Sequence, residues 1–114
     1  MRGINLFIGT GEVGHLTLGQ TTKGMPVCSF TFGMEKEDGY VAWVRVNVYG
    51  VHVEFCNKEL EKGTRVLVQG ELMNRARSTG GLALTEVRLF DVKVLDRVKT
   101  KSDWEIPDGT KEEG

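Results

Sequence analysis

Cysteine and histidine are both scarce in this chain, with two of each among 114 residues. Two cysteines cannot build the disulfide framework of a small secreted domain. Cys28 and Cys56 each fall inside an apolar pattern, so they read as reduced, buried thiols of a cytoplasmic protein. His15 and His52 belong to no recognisable metal-ligand motif, and no metal site is expected. Apolar runs approaching the roughly 18 residues of a membrane-spanning helix are missing. The opening Met1-Arg2-Gly3-Ile4-Asn5 has no apolar stretch of the signal-peptide kind. An excess of charge is lacking too, with a net charge of -1. Residues 1–97 hold twelve Lys/Arg against eleven Asp/Glu, and residues 98–114 hold three against five. Any basic surface must come from local clustering rather than from total charge.

What is present is glycine, fifteen residues of it, with Val, Thr and Phe in short alternating runs. This predicts a β-rich, all-β domain with one short helix over residues 1–97, followed by a short acidic tail over 98–114 that is expected to be disordered. Ile4 to Ile8 meets Gly9, Gly11 and Gly14 and then resumes as Leu16-Thr17-Leu18, a long first strand bent or bulged at its glycines. Lys23-Gly24-Met25-Pro26 marks a turn, and Val27–Met34 a second strand with Cys28, Phe30, Phe32 and Met34 on one face. Glu35 to Gly39 is a charged hairpin tip before a third strand, Val41–Tyr49. Val53, Cys56 and Leu60 then share one helical face, and Gly63 suits the left-handed residue that ends a helix. Further strands follow at Arg65–Met73 and Leu82–Leu95. Three strands, a helix and two strands is the order of an OB-fold, a five-stranded Greek-key barrel with its helix between strands three and four.

The third strand carries the most information. Ala42, Val44, Val46 and Val48 form one apolar face, while Trp43, Arg45, Asn47 and Tyr49 line the other. Nucleic-acid bases offer π-faces to stack and phosphates to neutralise, and this row supplies both kinds of partner. The same pattern fits a strand covered on both sides, with Trp43 and Tyr49 packing a subunit interface.

Patterns that would carry catalysis fail on context. Gly9-Thr10-Gly11-Glu12-Val13-Gly14 matches the dinucleotide fingerprint, but that fingerprint needs a helix next. His15-Leu16-Thr17-Leu18-Gly19 alternates like a strand instead. Ser29 and Ser78 have no motif around them, and Glu35, Glu37 and Asp38 sit on a hairpin tip. No enzyme and no cofactor are expected. Arg75 and Arg77 flank Ala76 where strands four and five join, and Arg88 lies on the return strand. A basic hairpin and an aromatic-basic strand thus occur on one small barrel.

With Arg2-Gly3-Ile4-Asn5, Trp43-Val44-Arg45 running on to Tyr49-Gly50, and Leu60-Glu61-Lys62-Gly63, the chain resembles the bacterial and phage single-stranded DNA-binding protein family. Val66-Leu67-Val68-Gln69-Gly70-Glu71-Leu72 and Thr85-Glu86-Val87 extend the likeness over roughly residues 2–96. The resemblance implies that Trp43 and Tyr49 stack on bases, and that Arg45, Lys62, Arg75 and Arg2 contact phosphates. With Arg77 and Arg88 from the hairpin, these are the expected DNA-binding residues. It also implies a homotetramer or homodimer paired through the first strand, acting in the cytoplasm on nucleoid DNA, or in a host cytoplasm if phage-encoded.

Departures from the pattern narrow the expectation. Arg77 stands where the family often has another tryptophan, and a tryptophan near the second-to-third strand connection is missing. Fewer stacked bases and a heavier reliance on charge follow. The family's acidic tip that recruits genome-maintenance proteins is echoed only by Asp103-Trp104-Glu105-Ile106-Pro107-Asp108, so Trp104, Ile106 and Pro107 are candidates for partner docking. The expected function is coating and protection of single-stranded DNA in replication, recombination or repair. One alternative is a primosomal replication protein N-like dimer that mainly bridges restart proteins, suggested by Lys23-Gly24-Met25-Pro26-Val27-Cys28. Another is a nucleotide-using enzyme built on the glycine-rich segment.

Overall fold

The computed structural model describes residues 2–75 and 84–97. Its elements run β1 (Phe7–Gln20), β2 (Pro26–Glu35), β3 (Val41–Tyr49), α1 (His52–Glu59), β4 (Arg65–Arg75) and β5 (Leu84–Asp96). The strands close into a barrel in the order β1-β2-β3-β5-β4. Every pairing is antiparallel except β3 with β5. This is the expected OB-fold barrel, with its helix between strands three and four.

Closure depends on the length and bend of β1. Its first half, Phe7 to Glu12, pairs with β4, and its second half, from Glu12 onward, pairs with β2. The register slips between Val13 and Leu16, which is the bulge that the glycine content predicts. The Thr31 hydroxyl accepts a 2.8 Å bond from the backbone N–H of His15 there, so a side chain satisfies a donor that the slipped ladder leaves free. Before β1, the Asn5 amide both donates to the Leu72 carbonyl (2.7 Å) and accepts from the Leu72 N–H (2.8 Å). One side chain thus continues the β1–β4 ladder past its backbone end.

The alternation of each strand fills the barrel. Cys28, Phe30 and Phe32 from β2, Val46 and Val48 from β3, and Val66 and Val68 from β4 are all buried. Phe32 meets Phe7 and Phe30 edge to face at 6.4 and 6.3 Å, the arrangement that ring quadrupoles favour. Helix α1 covers the barrel with Val53 and Cys56, and Leu60 beyond its end is buried with them. Burial of these side chains is the main stabilising term, at about 25 cal/mol per Å² of apolar surface.

The end of α1 differs from the sequence expectation. The helix stops at Glu59, and Leu60 is already extended (φ -103°, ψ 139°). Gly63 takes its positive φ of 95° one turn later. There the Thr64 N–H bonds the Glu61 carbonyl at 3.0 Å, with glycine at the turn position that needs φ above zero. Leu60 must enter the core, and that requirement ends the helix before glycine is reached. The first strand begins at Phe7 rather than Ile4, and Pro26 opens β2 instead of closing the turn.

Candidate nucleic-acid interface

β3 sets the geometry. Its inward residues Val46 and Val48 are fixed in the core, so period-2 alternation turns Trp43, Arg45, Asn47 and Tyr49 outward. Trp43 is 61 % exposed and Tyr49 40 %. Two large rings that open to solvent are available to a ligand rather than consumed by the core. Asn47 is the exception in the row, only 7 % exposed.

Asn47 is covered because the β4–β5 arm lies against this face. Met73 on β4 pairs with Glu86 on β5, and both approach Asn47. Its Nδ2 donates to Glu86 Oε1 at 2.6 Å and reaches Met73 Sδ at 3.9 Å. Glu86 is itself 4 % exposed. Arg45 Nε stands 3.7 Å from Glu86 Oε2, and Arg75 Nη1 stands 4.0 Å from Oε1. Arg45 Nη1 also donates to Ser29 Oγ at 3.0 Å, and Ser29 Oγ lies 2.9 Å from Thr17 Oγ1. These groups line a cleft of about 510 Å³ bounded by Thr17, Ser29, Arg45, Asn47, Tyr49, Asn74, Arg75 and Glu86. The cleft offers a ring to stack on, two guanidiniums for phosphate, and hydroxyl and amide groups for base edges.

Trp43 lines the neighbouring cleft, with Thr10, Gly11, Glu12, Gly33, Glu35, Val41 and Arg65. Lys62 is exposed in the turn after α1 and lines a third recess with Gly14, His15 and Leu16. Gly14 is the link, because a Cβ there would meet the Trp43 ring at 3.1 Å. Arg88 faces outward on β5, pairs with Glu71 at 3.3 Å and lies 5.9 Å over the Phe90 ring. Arg2 is exposed in the segment before β1. The structure therefore gathers Arg45, Tyr49 and Arg75 into one cleft and sets Trp43 beside it. Lys62, Arg88 and Arg2 stand apart from that cleft. Arg77, Trp104, Ile106, Pro107 and the whole 98–114 segment lie outside the described residues.

Sequence reasoning placed Asn47 on the right face but did not make it a site residue, and it left Glu86 out of the site. Glu86 falls on the outward face of the Val87, Leu89 alternation, where a charged residue is ordinary, so the strand pattern carries no mark of its burial. The glycine-rich segment Gly9–Gly14 runs inside β1 and is followed by more strand, so it has no helix N-terminus to offer a phosphate. Among the described residues, no group of three or more His, Cys, Asp or Glu is placed to hold a metal ion. No described helix is long and apolar enough to cross a membrane.

Comparison with known proteins agrees with this geometry. Among solved structures, the Plasmodium falciparum SSB in complex with ssDNA superposes with a TM-score of 0.73 at 26 % identity, covering 84 % of this chain and 98 % of the other. The mitochondrial single-stranded DNA-binding protein Rim1 of S. cerevisiae gives a TM-score of 0.73 at 16 % identity, with 86 % and 100 % covered. Curated protein sequences give no match. The family model described as "Single-strand binding protein family" matches residues 4–95, and on that match the chain belongs to the single-strand binding protein family.

Proposed function

We propose that this protein binds single-stranded DNA without strong sequence preference, coating and protecting it in replication, recombination or repair. The observation that carries the reading is the open row on β3, with Trp43 and Tyr49 exposed on either side of Arg45. Bases stack on such rings in any sequence, because every base has a π-face. Arg45 and Arg75 at the cleft supply charge for the phosphates, and Lys62, Arg88 and Arg2 elsewhere on the surface, with Arg77 on sequence grounds, are proposed to add to it. The solved complex of the Plasmodium falciparum SSB with ssDNA supports the same assignment.

Self-association belongs to this reading. Ile4, Leu6 and Ile8 are exposed at every second position where the chain enters β1, an apolar row that a second copy would cover. Light scattering on the purified chain tests it, and a monomer at micromolar concentration would exclude it. The acidic 98–114 segment, with Trp104, Ile106 and Pro107, is proposed on sequence grounds as a docking piece for replication and repair proteins.

The direct test follows the anisotropy of a labelled oligo-dT across a salt series. Trp43→Ala is expected to weaken binding by about tenfold or more, since a stacked base contributes about 1–3 kcal/mol. Affinity should fall with salt by about 0.7 log units per log unit for each phosphate neutralised. In a full-length Trp104→Phe chain, Trp43 is the remaining tryptophan, and its emission should quench on binding. Unchanged affinity in Trp43→Ala, or equal affinity for duplex, would overturn the reading.

A further inference from the structure

The two arginines at the main cleft share one carboxylate. Glu86 is almost fully buried, and its one short bond among the described residues comes from a neutral amide, Asn47 Nδ2 at 2.6 Å. Its ionic partners are looser, with Arg45 at 3.7 Å and Arg75 at 4.0 Å. Both separations exceed hydrogen-bonding distance. A buried carboxylate loses its hydration, so it persists only where nearby positive charge compensates it. Yet the arginine side chains stay 45 % and 63 % exposed. They are held near the cleft without being locked into place.

We propose that Glu86 is an internal competitor for the nucleic-acid backbone, occupying the positive charge of Arg45 and Arg75 until a phosphate takes it over. The proposal rests on the assignment of these arginines to phosphate contact. Two guanidiniums against one carboxylate leave the cleft with a single net positive charge. An incoming phosphate brings a second anion to the same two groups, and the buried carboxylate cannot withdraw from them. Glu86 therefore keeps the arginines near the cleft in the free protein and lowers affinity for the strand. The consequence is a protein that releases DNA more readily than its arginine count implies.

Glu86→Gln removes the charge while keeping the shape and an oxygen for Asn47. The expected result is about three- to tenfold tighter binding of labelled oligo-dT at low salt, from loss of one screened repulsion close to the phosphate. The salt dependence should steepen by up to about 0.7 log units per log unit, as one more counterion is displaced. Glu86→Asp, which keeps the charge, should bind like wild type. A purely structural carboxylate would give weaker binding in Glu86→Gln, and unchanged or weaker binding by a folded variant overturns the proposal.

A second measurement does not depend on that variant folding. When Arg45 or Arg75 is replaced singly by Gln, Glu86 neutralises the guanidinium that remains. Arg45→Gln alone should therefore weaken binding, while Arg45→Gln/Glu86→Gln, which removes both partners of the pair and restores the single net positive charge, should bind about as wild type does. A folded double variant that binds as weakly as Arg45→Gln alone would overturn the proposal. Failure of wild type to bind oligo-dT would instead defeat the underlying DNA reading, so the two failures are distinguishable.

Discussion

The far edge of the Trp43 indole lies over Gly33, its partner across the β2–β3 ladder. A Cβ at Gly33 would stand 2.8 Å from Trp43 Cζ3 and 2.9 Å from Cη2. On the next strand, a Cβ at Gly14 would come within 3.1 Å of the same ring. Two glycines therefore form a bed on which the indole reclines across three strands, keeping one face toward solvent.

Gly33→Ala should lift that ring while disturbing little else. The atoms nearest its new Cβ are the ends of the Trp43 and Val41 side chains, both of which are at the surface and can give way. Alanine also costs less chain entropy on folding than glycine. The melting temperature is expected to change by no more than a few degrees, while oligo-dT affinity falls about three- to tenfold as stacking is partly lost. Equal affinity would show that the tilt of the indole does not matter for binding.

Gly11 has a different reason to be glycine, and the difference is measurable. A Cβ there would run into the backbone carbonyl of Gly33, which has no freedom to move aside. Gly11→Ala should destabilise the barrel by about 1–3 kcal/mol, in the range of overpacked interiors. At Gly9 the first obstacles are the Met34 Sδ at 2.9 Å and the Phe7 ring at 3.0 Å, both ends of side chains. Gly9→Ala should cost clearly less than Gly11→Ala in urea unfolding. Equal costs would mean that β1 and β2 are not in close contact at Gly11.

These glycines show where sequence reasoning reached and where it stopped. The Gly9–Gly14 run reads correctly as a bend within a strand because apolar alternation resumes after it. That Gly11 faces a carbonyl and Gly33 faces an indole depends on register, which one strand alone does not contain. Trp43 and Tyr49 were legible because their partners on the opposite face are uniformly small and apolar. Asn47 and Glu86 were harder to read. Their burial follows from the β4–β5 arm lying against β3, a long-range contact with no local signature. Gly63 was assigned to the end of the helix because glycine commonly stands there, but the burial of Leu60 ends the helix sooner.

Alkaline pH should probe the core through its thiols. Burial raises the pKa of Cys28 above its ordinary value of 9.0. Burial, with Cys28 as a neighbouring negative charge, pushes Cys56 up to about 12. The unfolded chain releases these protons near pH 9, whereas the folded chain still holds them. Below pH 9 both states bind the proton, and the contribution of each thiol to stability is fully present. As pH rises toward 12 the unfolded state binds fewer protons, so stability declines by about 1.4 kcal/mol per pH unit for each thiol in its window. Urea midpoints should therefore fall above pH 9, and Cys56→Ala should show a shallower decline than wild type. Because the thiolate is the reactive form, iodoacetamide at pH 8 should label neither cysteine in the native protein and both in urea. Rapid native labelling, or an alkaline decline unchanged by Cys56→Ala, would contradict a sealed core between β2 and α1.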